Sequence, residues 1–143
     1  PRGWIPSIAY LVLVPPDTEP TDASARWIRA RARRRLAYDH RTILKSSIER
    51  LERRLWWSNI TVGILPGSFT MSEARGVYEA IAGVRYDAGT FSRDLKATGL
   101  VVATGDQRAG GTGRPGSLYR FASSEQSWGA GNRKRLAAWA PRP

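Results

Sequence analysis

The chain has 143 residues and a formal net charge of +11, and 41% of its residues are hydrophobic. This composition predicts a foldable chain with one core of ordinary size, or one small domain with part of a second. The longest apolar run, residues 8–14, is too short to span a bilayer and follows no cleavable signal pattern, so we expect a cytoplasmic, nucleoid-associated location and no membrane partner. Because cysteine is absent, disulfides and thiolate zinc sites are excluded.

The positive charge is uneven along the chain. Residues 26–57 carry eleven basic and three acidic side chains, whereas residues 58–86 are neutral and residues 87–121 carry five basic and three acidic side chains. So basic a chain binds polyanions by counterion release whatever its specific function. The charge therefore favours nucleic-acid binding without indicating sequence specificity.

The first part of the chain has the pattern of strands and loops. Residues 2–14 predict a strand, apolar on both faces towards its end and therefore central in a sheet, and residues 26–28 predict a short second strand. The arginine-rich run at residues 29–35 is more typical of a solvated surface than of a specific nucleic-acid site. Since residue 1 is proline, not an initiator methionine, we expect a fragment or a processed product.

Residues 39–57 form the longest helical pattern, with Asp39 placed to cap it. An apolar stripe along this helix favours a helix that connects two domains. The stripe is formed by Ile43, Leu44, Ile48, Leu51 and Leu55. His40 is the only histidine, so a histidine-based metal site or triad lacks partners, and we interpret it as a first-turn residue with a ligand contact as the alternative. A short helix or turn follows at residues 59–66.

A second helix is marked at both ends. Thr70 and Glu73 are spaced as a capping box, and Phe69 is placed as a hydrophobic staple. Gly83 is suited to end the helix near Ala82 in the left-handed conformation. The apolar face between these ends is formed by Ala74, Val77, Tyr78 and Ile81.

Asp87 can cap a third helix that Gly99 would end. Its predicted buried side is Ala88, Phe91 and Leu95, and its opposite face carries Gly89, Thr90, Ser92, Arg93 and Lys96. A strand at residues 100–103, a turn-rich loop at residues 106–116 and a returning strand at residues 117–121 then complete a hairpin. Helix, helix and hairpin in this order predict an α+β fold of the winged helix-turn-helix type, preceded by a long helix and a partial β segment.

The same stretch resembles the C-terminal domain of the Nudix-related transcriptional regulators of NAD metabolism. The resemblance rests on Phe-Thr-Met-Ser-Glu at residues 69–73, Val-Tyr-Glu-Ala-Ile at 77–81, Ala-Thr-Gly-Leu at 97–100, and Gly-Arg-Pro-Gly-Ser-Leu-Tyr-Arg-Phe at 113–121. It implies a regulator of NAD-metabolism genes, with ADP-ribose or a related nucleotide as effector. From the winged helix itself we expect binding to double-stranded DNA as a homodimer on a roughly palindromic site, because two linked half-sites multiply affinity. The expected groove contacts are Thr90, Ser92, Arg93 and Lys96, and the expected wing contacts are Arg108 and Arg114.

Residues 1–57 are similar to the later part of a Nudix domain, on the Pro-Arg-Gly opening, the tryptophan at 27 and Leu-Ala-Tyr-Asp-His at 36–40. The acidic Nudix box is missing, since Glu49 and Glu52 are the only nearby pair of acids. We therefore expect no catalytic residues, metal ligands or cofactor in this chain. Residues 58–121 would be the winged helix, and residues 122–143 a basic, flexible tail.

Two alternatives to the regulator stay open at this point. The chain could be the C-terminal piece of a Nudix pyrophosphohydrolase of the ADP-ribose type that carries a winged helix. It could instead be a winged helix that mediates protein contacts or dimerisation.

Overall fold

The fold is known from a computed structural model that describes residues 8–32, 35–109 and 115–125. The described elements are the helices α1 (His40–Arg54), α2 (Met71–Ala82) and α3 (Ala88–Ala97) and the strands β1 (Phe69–Thr70), β2 (Val101–Arg108) and β3 (Gly116–Phe121). The strands form one antiparallel sheet in the order β1-β3-β2. This arrangement confirms the predicted α+β winged helix-turn-helix. Among the described helices, none has the length and apolarity needed to cross a membrane.

Both predicted ends of α2 are confirmed. The Thr70 hydroxyl accepts the Glu73 backbone N–H at 3.2 Å, and the Glu73 carboxylate accepts the Thr70 N–H at 2.7 Å, which completes the capping box. Gly83 ends the helix with φ +70°, a left-handed conformation that strains other residues. Phe69, predicted only as a staple, also forms β1 and pairs with Tyr119 of β3.

Helix α3 begins where the sequence predicts, because the Asp87 carboxylate accepts the Thr90 backbone N–H at 2.8 Å. The predicted burial of Ala88 is wrong: this first residue of the helix is exposed. Ala88 lies before the part of α3 that packs on the core. The buried residues of the helix are Phe91, Asp94 and Leu95.

An aromatic cluster joins the helices. The Phe91 ring centroid lies 5.2 Å from that of Tyr78, 5.5 Å from that of Trp56 and 5.8 Å from that of Tyr86. Trp56 also contacts Tyr78 and Tyr86 edge to face, and all four residues are buried. The segment after α1, helix α2, the turn and α3 therefore share one core.

Helix α1 differs from its prediction at both ends. Asp39 occupies the N-cap position, but its side chain makes no capping hydrogen bond. The helix ends at Arg54 rather than Trp57, because Leu55 and Trp56 leave it to enter the core, where both are buried. No residue within α1 is fully buried, so the predicted apolar stripe is covered only in part.

The strand predicted at residues 2–14 is wrong over residues 8–14, and the strand predicted at residues 26–28 is also wrong; residues 2–7 lie outside the described residues. Residues 8–14 and 26–28 form no ladder, since the described residues provide no neighbouring strand that could pair with them. The side chains of Ile8 and Tyr10 are accordingly 78% and 84% exposed. Over the part of residues 1–57 that the structure describes, the partial β segment of the predicted fold class is therefore not formed, and whether residues 1–57 are a Nudix-like unit stays a prediction.

The C-terminal half of the domain is close to the prediction but has longer strands. Strand β2 extends to Arg108 and β3 begins at Gly116, so the predicted loop at residues 106–116 is shorter than expected. Residues 59–66 form turns, and the Asn59 amide donates to the carbonyls of Ser123 and Glu125 at 2.9 and 2.7 Å. Arg114 and residues 126–143 of the predicted tail lie outside the described residues.

We expect Phe91→Ala to lower the free energy of unfolding by about 3–5 kcal/mol, because it empties the centre of the aromatic cluster. The measurement is urea denaturation monitored by circular dichroism. Val84→Ala is the control, since Val84 is 51% exposed. Equal losses in the two variants would contradict a core centred on Phe91.

We also expect stability to fall in acid. Backbone N–H groups hold the pKa of three carboxyls below their ordinary values: Thr70 acts on Glu73, Tyr86 on Glu79 and Thr90 on Asp87. A lowered folded-state pKa gives stability above the unfolded-state pKa, and this stability is lost as pH falls through the folded-state value. Unfolding measured between about pH 7 and about pH 3 should show a loss that is smaller in Glu73→Gln. An identical pH profile in that variant would refute the contribution of Glu73.

Candidate DNA-binding surface

One face of α3 is open to solvent. Gly89, Arg93 and Lys96 are exposed along it, and Thr90 and Ser92 are half-buried at its two margins. The spacing i, i+4 and i+7 places the three exposed residues in one row on the helix. The structure thus brings the four predicted groove residues of α3 onto one surface.

A buried carboxylate positions Arg93. The Arg93 Nε lies 3.1 Å from Asp94 Oδ1, and the Asp94 side chain is 7% exposed whereas that of Arg93 is 57% exposed. The guanidinium has five N–H donors, of which this bond engages one. Arg93 is therefore anchored at Nε and retains donors for a ligand such as a phosphate or a guanine edge.

The sheet positions Lys96. Its Nζ lies 5.0 Å from the ring centroid of Tyr119 on β3, within the range of a cation–π interaction. This contact ties the last turn of α3 to the returning strand of the wing. The ammonium group of Lys96 is thus held where α3 meets the sheet.

Arg108, at the end of β2, is bound to the start of α2. Its Nη1 donates to Glu73 Oε1 at 2.8 Å and its Nη2 donates to the Ser68 carbonyl at 2.9 Å. Both charged side chains stay more than two-fifths exposed. Arg108 therefore braces the wing against the capping box, and its predicted DNA contact stays a prediction, as does that of Arg114.

Three residues position the cations of this surface in a way that was not predicted from the sequence. Asp94 and Tyr119 carry no predicted role, and Glu73 is predicted only as part of the capping box. Each acts through a side-chain contact that no periodicity reveals, although an acid next to an arginine on a predicted helix is a visible signal for Asp94. Within the described parts of the chain, no group of three or more His, Cys, Asp or Glu residues is placed to hold a metal ion.

The order α2, α3, β2, β3 with an exposed cationic row on α3 defines a winged helix-turn-helix, the class in which the second helix usually enters the DNA major groove. Residues 61–121 match the family described as the NrtR DNA-binding winged helix domain. The match covers the segment on which the predicted resemblance rests, and it confirms that resemblance.

Solved structures agree with this assignment. The crystal structure of Shewanella oneidensis NrtR complexed with a 27mer DNA is similar at a TM-score of 0.51 and 29% identity, over 62% of this chain and 40% of that chain. Another crystal structure of Shewanella oneidensis NrtR gives a TM-score of 0.50 with the same identity and coverage.

A curated relative extends the similarity along the sequence. The ADPR responsive transcriptional repressor NtrR of Acinetobacter baylyi is 28% identical over an alignment of 129 residues, and the match covers 85% of this chain and 51% of the relative. The chain therefore spans about half the length of the curated relative it matches.

We expect the bond between Arg108 and Glu73 to contribute about 0.2–1 kcal/mol to stability, as exposed ion pairs do. A double-mutant cycle with Arg108→Gln, Glu73→Gln and the double variant measures this coupling through the free energies of unfolding. The coupling should decrease at high salt, because both side chains are exposed to solvent. Additive losses at low salt would show that the bond to Glu73 does not contribute to the attachment of the wing.

Proposed function

We propose that this chain is the DNA-binding part of a transcriptional repressor that responds to ADP-ribose or a related nucleotide. The single observation that carries the proposal is the exposed row on α3, in which Arg93 and Lys96 are each held by a neighbouring side chain. The NrtR-type winged helix and the relative named as an ADPR responsive repressor support it. They do not favour the alternatives of a pyrophosphohydrolase fragment or a protein-interaction module.

In this proposal α3 enters the major groove of double-stranded DNA. Thr90, Ser92, Arg93 and Lys96 contact base edges or phosphates, and Arg108 and Arg114 contact the backbone from the wing. The chain acts as a homodimer on a roughly palindromic site, because two linked half-sites multiply affinity. The location that fits this role is the cytoplasm, at the nucleoid, and the regulated genes are those of NAD metabolism.

Residues 1–57 supply part of the Nudix-like unit that senses the effector. A cleft of about 1170 Å³ lies between residues 9–13 and α1. It is lined by the basic residues Arg50 and Arg53 and by the hydroxyl-bearing residues Thr42 and Ser46, beside the apolar residues Leu11 and Ile43. Arginine donors next to apolar walls are compatible with a nucleotide, whose phosphates and base need both.

We expect Arg93→Ala to weaken binding to the promoter DNA upstream of the chain's own gene by about 1–3 kcal/mol, because the variant loses an anchored guanidinium in the groove. Gel-shift titration against this promoter and a shuffled duplex measures the change. Lys45→Ala is the matched control, since it removes one positive charge from α1, where the Lys45 side chain is 78% exposed. Equal affinity of Arg93→Ala and the parent chain for the promoter would refute the groove role.

The effector is tested in the same titration. Release of the promoter complex by ADP-ribose, with the nonspecific complex unaffected, is the expected result. Unchanged promoter binding at saturating ADP-ribose would refute a response to this nucleotide within the residues of this chain while leaving the DNA-binding role intact.

A further inference from the structure

Arg31 attaches the arginine-rich segment before α1 to the helix-turn-helix. Its Nη2 donates to the Ile81 carbonyl in the last turn of α2 at 2.6 Å and pairs with the Glu52 carboxylate of α1. Gly83 leaves the space for this guanidinium, because a Cβ there would lie 3.2 Å from the Arg31 Cζ. The segment at residues 26–32 is therefore held beside the turn that leads into α3.

The other arginines of this segment face solvent. Arg26 and Arg29 are exposed, and within the described ranges neither takes part in an ion pair. The Trp27 Nε1 donates to the Thr18 carbonyl at 2.7 Å, which attaches the same segment to the preceding loop. The bonds of Arg31 and Trp27 thus hold the segment, and the guanidinium groups of Arg26 and Arg29 stay available to a partner.

The winged helix itself supplies little excess positive charge. Residues 58–121 contain seven basic and five acidic side chains, and Arg85, Arg93 and Arg108 are each paired with one of these acids. Residues 26–32 contain three arginines and no acid. Phosphate contacts provide much of the affinity of a DNA-binding protein. The excess positive charge of residues 26–32 can therefore supply phosphate contacts that the nearly neutral winged helix lacks.

We propose that residues 26–32 form a second DNA-contact surface, which binds the phosphates that flank the site read by α3. Arg26 and Arg29 bind phosphate oxygens, and Arg31 is a positioning residue that holds them beside the helix-turn-helix. The surface rests on the proposed DNA-binding function, and it adds affinity without sequence preference because phosphates are common to all sequences.

The test is the salt dependence of DNA binding by the full chain, measured by fluorescence anisotropy on the promoter duplex and a shuffled duplex of equal length. The variant Arg26→Gln/Arg29→Gln removes two phosphate contacts, each of which contributes about 0.9 to the slope of log K against log salt. Between about 50 and about 200 mM salt, the parent chain should lose about tenfold more affinity than this variant. The ratio of promoter to shuffled affinity should not change.

The variant Arg41→Gln/Lys45→Gln is the control, because it removes the same charge from exposed positions of α1. Equal slopes in the two double variants would overturn the proposal, since net charge alone would then explain the effect. Arg31→Gln should reproduce the reduced slope although Arg26 and Arg29 are intact, and an unchanged slope in this folded variant would overturn the positioning role.

Failure of the proposed function gives a different result. A parent chain that does not distinguish the promoter from the shuffled duplex contradicts sequence-specific regulation. The comparison of slopes on the shuffled duplex still decides whether residues 26–32 bind phosphates.

Discussion

The packing of Phe91 against Trp56, Tyr78 and Tyr86 is the contact on which the rest of the fold depends. These rings come from α3, the segment after α1, α2 and the turn, so the cluster sets where each element lies. A helix of ten residues is marginal in isolation, and α3 is stabilised mainly by this buried side. Because one side of α3 is packed on the core, the opposite side, which carries Arg93 and Lys96, must face solvent.

Around this core, Arg93, Lys96 and Arg108 of the proposed DNA site each have a neighbouring group. Asp94 engages Arg93, the Tyr119 ring lies beneath Lys96, and the Glu73 carboxylate bonds to Arg108. Such contacts reduce the rotamer freedom that would otherwise be lost on binding, which favours affinity. The carboxylates of Asp94 and Glu73 also neutralise part of the positive charge of the domain. In the proposed complex, α3 therefore recognises the base sequence, whereas residues 26–32 bind phosphates without sequence preference.

Features that depend on a few consecutive residues were predictable from the sequence. The capping box of Thr70 and Glu73, the Asp87 cap and the left-handed Gly83 each follow from side chains within four positions. Contacts between distant positions were not predictable, as the bond from Arg108 to Glu73 spans 35 residues and has no local pattern. The strand predicted at residues 2–14 is not formed over residues 8–14, its described part, for a related physical reason: apolar residues permit a strand, but only a neighbouring strand can satisfy its backbone.

The most direct measurement is an NMR titration of the isotope-labelled chain with the promoter duplex, in which the backbone amide shifts are followed residue by residue. If α3 enters the major groove, the largest changes should lie at Gly89, Thr90, Ser92 and Arg93, with smaller changes in β2 and in residues 26–32. The shuffled duplex should reproduce the changes in residues 26–32 and largely lose those in α3. Changes that are largest on α1, with α3 unaffected by the promoter duplex, would contradict the entry of α3 into the groove.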